Sequence, residues 1–254
     1  MDLGLWELGL LVGAALAAGL VDAIAGGGGL ITLPSLLAVG LPPHLALGTN
    51  KGQSVFGSFA ALARYHREGL VETRRARLTF PLGFVGSLMG AAGVLTVKPD
   101  ALRPIVLFLL VVVAIFMALY RPREGARPAI SRGHAAGRAA LIALVIGTYD
   151  GFFGPGTGTF LIALFVGLLA LPLPQATADA KVVNFASNLA AVVFFGLQGF
   201  VLWKVALPMA AGQFTGGLIG AHLAVKGGAR LIRFVVLLVV AALSVKIGWD
   251  VFSD

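Results

Sequence analysis

Two stretches of the sequence place an aspartate four residues before a group of glycines, in otherwise apolar surroundings. They read DAIAGGGG from Asp22 and DGFFGPGTGT from Asp150. Where glycines interrupt a helix, backbone N–H groups are left free, and the positive end of the helix dipole attracts an anion. We therefore predict that both glycine clusters contact an anionic substrate, through Gly26, Gly27, Gly28, Gly154, Gly156 and Thr157. The alternative is that these glycines only allow close helix packing.

A second polar group follows each cluster at helical spacing. Around Lys181 the polar residues are four, three and four positions apart, so they lie on one helix face. The corresponding segment of the first half also contains a lysine, Lys51. A lysine inside an apolar segment is costly and usually faces a cavity or a partner, and its ammonium group suits an anion. The candidate substrate contacts here are Thr49, Asn50, Lys51, Ser54, Thr177, Lys181, Asn184 and Asn188.

The sequence leaves more than one role open for the charged residues. Lys51 and Lys181 could form internal salt bridges with Asp22 and Asp150 instead of contacting substrate. In a mixed case the substrate competes with an aspartate for its lysine, which would link binding to gating. The aspartates could also carry coupling protons or cap the helix ends beside the glycines. The histidines show no metal-ligand spacing, so no metal, cofactor or catalytic group is expected.

The composition indicates the environment of these residues. The chain has 254 residues, of which 58% are hydrophobic and only 12% are charged, about half the charged fraction of soluble domains. Several apolar runs exceed the ~20 residues that cross a bilayer. The sequence therefore predicts an all-α polytopic membrane protein. The net charge of +8 is attributed to basic cytoplasmic loops rather than to nucleic-acid binding.

The apolar segments fall into two similar sets. We predict a first transmembrane repeat over residues 1–120, a cytoplasmic linker over 121–137 and a second repeat over 138–254, each with about four to five helical elements. The first helix of each repeat is expected to be glycine-broken or re-entrant. Basic residues in 64–77, in the linker and in 226–233 place these loops in the cytoplasm. The repeats would then be inverted relative to each other, with both termini outside.

At the level of motifs, the sequence resembles the TauE/SafE family of sulfite exporters. The resemblance rests on DAIAGGGGLITLP followed by ALGTNK, and on GFFGPGTGTF followed by ATADAKVVNFASNLAA. It spans about residues 10–250 and implies an integral permease of the bacterial inner membrane for sulfite, organosulfonates or related small anions. By position, Asn50, Lys51, Lys181 and Asn184 fall in the family's motifs. The residues TNKGQS depart from the small hydroxyl residues typical of relatives at that point.

Three functional hypotheses follow, in a fixed order of preference. Inverted repeats with broken helices are typical of secondary carriers, so alternating access with a sulfur-containing anion bound near the membrane midplane comes first. A carrier of another small anion such as a carboxylate comes second, because carboxylates favour the arginine fork and the predicted membrane core has no arginine. An intramembrane enzyme acting on a lipid phosphate comes third, since no nucleophile and base converge. Expected partners are the anion, coupled protons or ions, membrane lipid and a second copy in a homodimer.

Overall fold

The structure, a computed structural model, describes residues 4–119 and 132–252. Within these ranges the regular elements are all helices. In chain order they are α1 (Leu5–Ala25), α2 (Gly29–Ala38), α3 (Pro43–Arg67), α4 (Thr73–Leu95), α5 (Pro99–Leu119), α6 (Arg132–Phe152), α7 (Thr157–Leu169), α8 (Leu173–Leu197) and α9 (Trp203–Phe252). Helix α9 contains one non-helical residue, Gly228, between the two apolar segments that the sequence shows there.

Helix order and length repeat between the halves. α1 and α6 each have 21 residues, α3 and α8 each have 25, and the short α2 and α7 have 10 and 13. The first helix of each half is broken at its glycine cluster, as the sequence predicts. α1 ends in a left-handed Gly26 and α2 begins at Gly29, while α7 begins after the left-handed Gly156. The opposite direction of the two halves across the membrane stays a prediction.

Glycines bring helices of one half into close contact with helices of the other half. A Cβ atom on Gly90 of α4 would lie 2.0 Å from the carbonyl oxygen of Thr148 in α6. A Cβ atom on Gly220 of α9 would lie 2.4 Å from the carbonyl oxygen of Leu20 in α1. Small residues at such positions let helix backbones approach each other in membrane bundles. The scattered glycines of α4 and α9 therefore serve packing.

The outer surface carries the apolar side chains expected of a protein in lipid. Leu5, Phe108 and Leu197 are exposed over 90%, 66% and 83% of their surface, respectively. Three of the described helices, α1, α4 and α8, are long and apolar enough to cross a membrane. Soluble proteins avoid extended apolar patches of this kind. The chain is thus an all-α membrane protein.

The predicted linker falls partly inside a helix. α6 begins at Arg132, six residues before the apolar segment predicted from residue 138, so this helix extends beyond its apolar part. The rest of the predicted linker, residues 121–131, lies outside the described residues, as do 1–3 and 253–254. The domain boundaries and the outward location of both termini therefore stay predictions.

Candidate functional site

The two glycine clusters contact each other backbone to backbone. A Cβ atom on Gly26 would lie 2.2 Å from the carbonyl carbon of Gly158, and one on Gly158 would lie 2.5 Å from Cα of Gly26. Gly26 also has φ +83°, which L side chains rarely adopt. Beside this contact, the Thr159 hydroxyl donates to the carbonyl of Ala25 at 2.7 Å. The break after α1 thus lies directly against the start of α7.

Two ion pairs cross between the halves, one fully buried and one whose aspartate is partly exposed. Lys51 Nζ lies 2.8 Å from Oδ1 of Asp150, and Lys181 Nζ lies 2.8 Å from Oδ2 of Asp22. Each lysine therefore pairs with the aspartate of the other half. Ion pairing, which the sequence leaves as one of several roles, is what the structure shows. The sum of the four formal charges is zero, which limits the cost of burying them.

The carboxylate of Asp150 has two hydroxyl neighbours besides its lysine. Ser187 donates to its Oδ2 atom, and the Thr157 hydroxyl lies 2.7 Å from its Oδ1 atom. The Thr157 hydroxyl is also 2.6 Å from the carbonyl oxygen of Gly154. Because a charged acceptor forms the stronger hydrogen bond, we assign the single Thr157 proton to Asp150. This carboxylate is therefore held from three sides.

Lys181 has a second partner at the end of α1. Its ammonium group donates to the backbone carbonyl of Asp22 as well as to the side chain. The last four carbonyls of a helix lack partners within it. In α1 the Asp22 carbonyl also accepts the backbone N–H of Gly26 at 2.9 Å. Side chains from two further helices bind the carbonyls after it, since Tyr65 donates to Ala23 at 2.8 Å and Thr159 donates to Ala25. Lys181 thus caps the C-terminus of the broken helix.

A small cavity lies between the two breaks. Its volume is about 20 Å³, which is roughly the room that one water molecule needs. Lys51 contributes to its wall, whereas Lys181 does not. The residues that line it are Asp22, Gly26, Gly29, Asn50, Lys51, Ser54, Asp150, Gly154, Gly158, Asn184, Asn188 and Gln213.

Two amide side chains of this cavity have unsatisfied oxygens. Oδ1 of Asn184 and Oε1 of Gln213 are buried, and neither has a hydrogen-bond partner among the described residues. A third amide, that of Asn188, accepts a hydrogen bond from Lys51 through Oδ1 at 3.3 Å. Buried polar atoms are nearly always hydrogen-bonded, to a ligand or water if not to protein. These amides therefore mark the cavity as a place where a polar guest would bind.

The structure separates the predicted residues into two groups. Seven of the fourteen predicted substrate contacts line the cavity, as do both predicted aspartates, whereas Thr49 and Thr177 have partners elsewhere. The Thr49 hydroxyl accepts from the backbone N–H of Leu202 at 3.0 Å, and Thr177 donates within its own helix to Leu173 at 2.8 Å. The predicted residues without a place in the cavity wall are Gly27, Gly28, Thr49, Gly156, Thr157, Thr177 and Lys181.

The predicted site does not include Ser187, which donates to Asp150. Gln213, which lines the cavity, is a weaker candidate in the sequence, as a polar residue in an apolar segment without charged residues. Ser187 follows Asn184 by three residues, a spacing that places both on one side of a helix. This periodicity was available in the sequence as a signal. For Gln213 the sequence shows only a polar residue in an apolar segment, and its packing against Gly57 in a distant helix is visible only in the structure. A Cβ atom on Gly57 would lie 2.5 Å from Cγ of Gln213.

A bundle of apolar helices that encloses lysines and aspartates at two helix breaks has the architecture of a membrane transport protein. The family described as Sulfite exporter TauE/SafE matches residues 11–247, and the chain belongs to this family. It is 39% identical to the probable membrane transporter protein ORF9 of Sinorhizobium sp, over 97% of this chain and 94% of that one. It is 38% identical to the probable membrane transporter protein YfcA of Escherichia coli K12, over 96% and 90% of the two chains. No solved structure matches the chain.

Proposed function

We propose that this protein is a secondary carrier that moves a small sulfur-containing anion, such as sulfite or an organosulfonate, across the bacterial inner membrane. The observation that carries this proposal is the cavity between two helix breaks, with the Lys51 ammonium group and unpartnered amides in its wall. Transporters bind their substrates at broken helices of this kind. Ammonium, amide and hydroxyl groups together supply the donors that an oxyanion needs. The family description, which names sulfite exporters, supports the choice of anion.

The described state would be a closed one. A cavity of about 20 Å³ accepts a water molecule but not a sulfite ion, so substrate enters only after the breaks separate. An arriving anion competes with a carboxylate for a lysine, and this competition links occupancy to the position of the helices. The aspartate that loses its lysine is then the place for a coupled proton or cation. Alternating access between inverted repeats is the motion that we propose.

A carrier of small carboxylates is the second candidate. The residues that line the cavity include lysine but no arginine. Carboxylates are commonly held by the forked guanidinium group of arginine, whereas an ammonium group places no such demand on the shape of the anion. The cavity wall therefore favours a sulfur oxyanion over a carboxylate.

Thermal stabilisation of the purified protein tests the anion, and vesicle flux tests the mechanism. The panel is sulfite, thiosulfate, sulfoacetate, taurine, sulfate, phosphate, acetate and succinate at equal ionic strength, with sodium chloride as control. We expect a concentration-dependent rise in Tm with a sulfur oxyanion, because a ligand that binds only the folded state stabilises it. Vesicles that contain the protein should then show saturable counterflow of that anion.

Each other result has a defined meaning. A rise in Tm with acetate or succinate alone would favour the carboxylate carrier. Flux without counterflow would indicate a channel. Release of phosphate from a lipid phosphate in detergent would indicate an enzyme. If no anion raises Tm, an anion carrier is ruled out as the function of this site.

A further inference from the structure

We infer that the two lysines have different tasks: Lys51, with the amides of Asn184 and Asn188, holds the transported anion, whereas Lys181 fixes the broken end of α1 and does not contact the anion. This inference rests on the proposed function and deepens it. The two lysines lie at corresponding positions, 130 residues apart, so their positions in the sequence predict the same role for both. Their surroundings in the structure differ.

Lys51 is the lysine that the cavity exposes. Its ammonium group lines the cavity together with Asn184 and Asn188, and it shares a hydrogen bond with Asn188. The absence of a side chain at Gly154 makes room for it, because a Cβ atom there would lie 2.7 Å from Lys51 Nζ. The Lys51 ammonium group therefore lies at the cavity wall beside Asp150, where a guest in the cavity can compete with the carboxylate for it.

Asp150 tolerates the departure of its lysine better than Asp22 does. When Lys51 turns away, the hydroxyls of Ser187 and Thr157 still donate to Asp150. In the first half, Gly57 lies 130 residues before Ser187, the offset that separates the two lysines, and Gly29 lies 128 residues before Thr157, the offset that separates the two aspartates. These glycines have no hydroxyl group that could donate to Asp22. Asp22 is the more exposed of the two carboxylates, at 14% against 2%, but loss of Lys181 would leave it without a side-chain donor among the described contacts, and an unpaired carboxylate inside a protein is destabilising. Release of Lys51 thus costs less than release of Lys181.

Lys181 is held in place by the helix that it caps. Its side chain has 0% exposure, and it donates to both the backbone and the side chain of Asp22. A cation at a helix C-terminus is stabilised by the unpaired carbonyls there. Removal of Lys181 from this position would leave the Asp22 carboxylate unpaired at the end of α1. Its contacts are those of a structural residue.

The amides complete the site for an oxyanion. Asn184 has its carbonyl oxygen unpartnered and its side chain in the cavity wall. Rotation of the carboxamide group by half a turn exchanges the oxygen for the NH₂ group, which has two donors. The cavity wall holds one ammonium group, neutral amides and the carboxyl groups of Asp22 and Asp150, so it suits an anion with no more than a single negative charge. The class of ligand is therefore a monoanionic sulfur oxyanion, such as a sulfonate.

Matched variants of the full chain, Lys51→Met and Lys181→Met, distinguish the two tasks. The probes are methanesulfonate and sulfite, and the measurements are Kd by calorimetric titration and Tm without anion. We expect Lys51→Met to raise Kd by about 10- to 100-fold, the loss that follows removal of a charge-assisted hydrogen bond. Lys181→Met should leave Kd within about threefold of the wild-type value and should lower Tm more than Lys51→Met does.

Neutralised pairs serve if a single variant does not fold. Lys51→Met/Asp150→Asn and Lys181→Met/Asp22→Asn remove both charges of one pair, so that no buried charge is left alone. The same difference in Kd is expected between them. Equal losses of affinity in both pairs, or a greater loss when Lys181 is replaced, would overturn the assignment while the proposed function stands. If neither probe binds the wild-type protein, the assignment of Lys51 and the sulfur-anion function both fail.

Discussion

Asp150 and Asp22 occupy corresponding positions in the two halves, yet their neighbours differ. Ser187 and Thr157 surround Asp150 with hydroxyls, whereas glycines stand at both positions beside Asp22. The charged residues and the helix packing repeat between the halves, but the hydrogen bonds around the charges do not. A repeated scaffold thus provides two similar ion pairs with unequal freedom to open. This inequality is what allows the pairs to serve different purposes.

Asp179 in α8 and Thr49 in α3 are a second pair of corresponding residues whose contacts differ. Asp179 of α8 accepts a hydrogen bond from the backbone N–H of Glu72 at 3.1 Å and forms a salt bridge with Arg75 of α4. The corresponding residue of α3, Thr49, accepts only the backbone N–H of Leu202, among the contacts described for its hydroxyl. The chain after α3 is therefore bound to α8 through an ion pair and a backbone hydrogen bond, whereas the chain after α8 is bound to α3 through a hydroxyl group.

The largest expected effect concerns the contact between the breaks. Gly26→Ala would force a Cβ atom against the backbone of Gly158, so we expect a loss of about 3 kcal/mol or more in the free energy of unfolding. Gly40→Ala is the matched control, because Gly40 also has positive φ but has no atom within 4 Å of its Cβ position. It should lose about 1 kcal/mol. Unfolding in denaturant measures both, and equal losses would show that the breaks do not pack tightly.

An intermediate effect is expected for Asp179. Asp179→Asn leaves Arg75 without its partner at a mostly buried position, which should cost about 3 kcal/mol of unfolding free energy. Thr49→Val, which removes the corresponding hydroxyl, should cost about 1 kcal/mol. The measurement is again unfolding in denaturant, with both variants prepared in the same detergent. A loss in Thr49→Val as great as that in Asp179→Asn would contradict the difference between the two connections.

The smallest effect is expected for Thr177. Its hydroxyl donates to Leu173 in the same helix and lies outside the cavity wall. Such a bond within one helix contributes little, so Thr177→Val should change the unfolding free energy by about 0.5 kcal/mol or less and leave the anion Kd unchanged. Ser54→Ala is the comparison, since Ser54 does line the cavity. A higher Kd for the anion in Thr177→Val would show that Thr177 contributes to anion binding.

Much of the architecture follows from the sequence alone. Apolar runs of transmembrane length predict a helical membrane protein. The glycine clusters beside Asp22 and Asp150 predict the two helix breaks, because glycine readily adopts the left-handed conformation with which many helices end. Helical spacing placed Lys181, Asn184 and Asn188 on one face, and all but Lys181 line the cavity. These features depend on residues that are close together in the chain, so they can be predicted from the sequence.

Only the tertiary structure decided how the charged residues are paired. The lysine of each half could pair with the aspartate beside the glycine cluster of the same half, and nothing in the sequence excludes it. The packing of the breaks brings Lys51 to Asp150 and Lys181 to Asp22, and leaves Lys51 alone of the two in the cavity wall. These pairs join residues 99 and 159 positions apart. Contacts at such distances in the chain depend on how helices pack, and helical spacing carries no information about that.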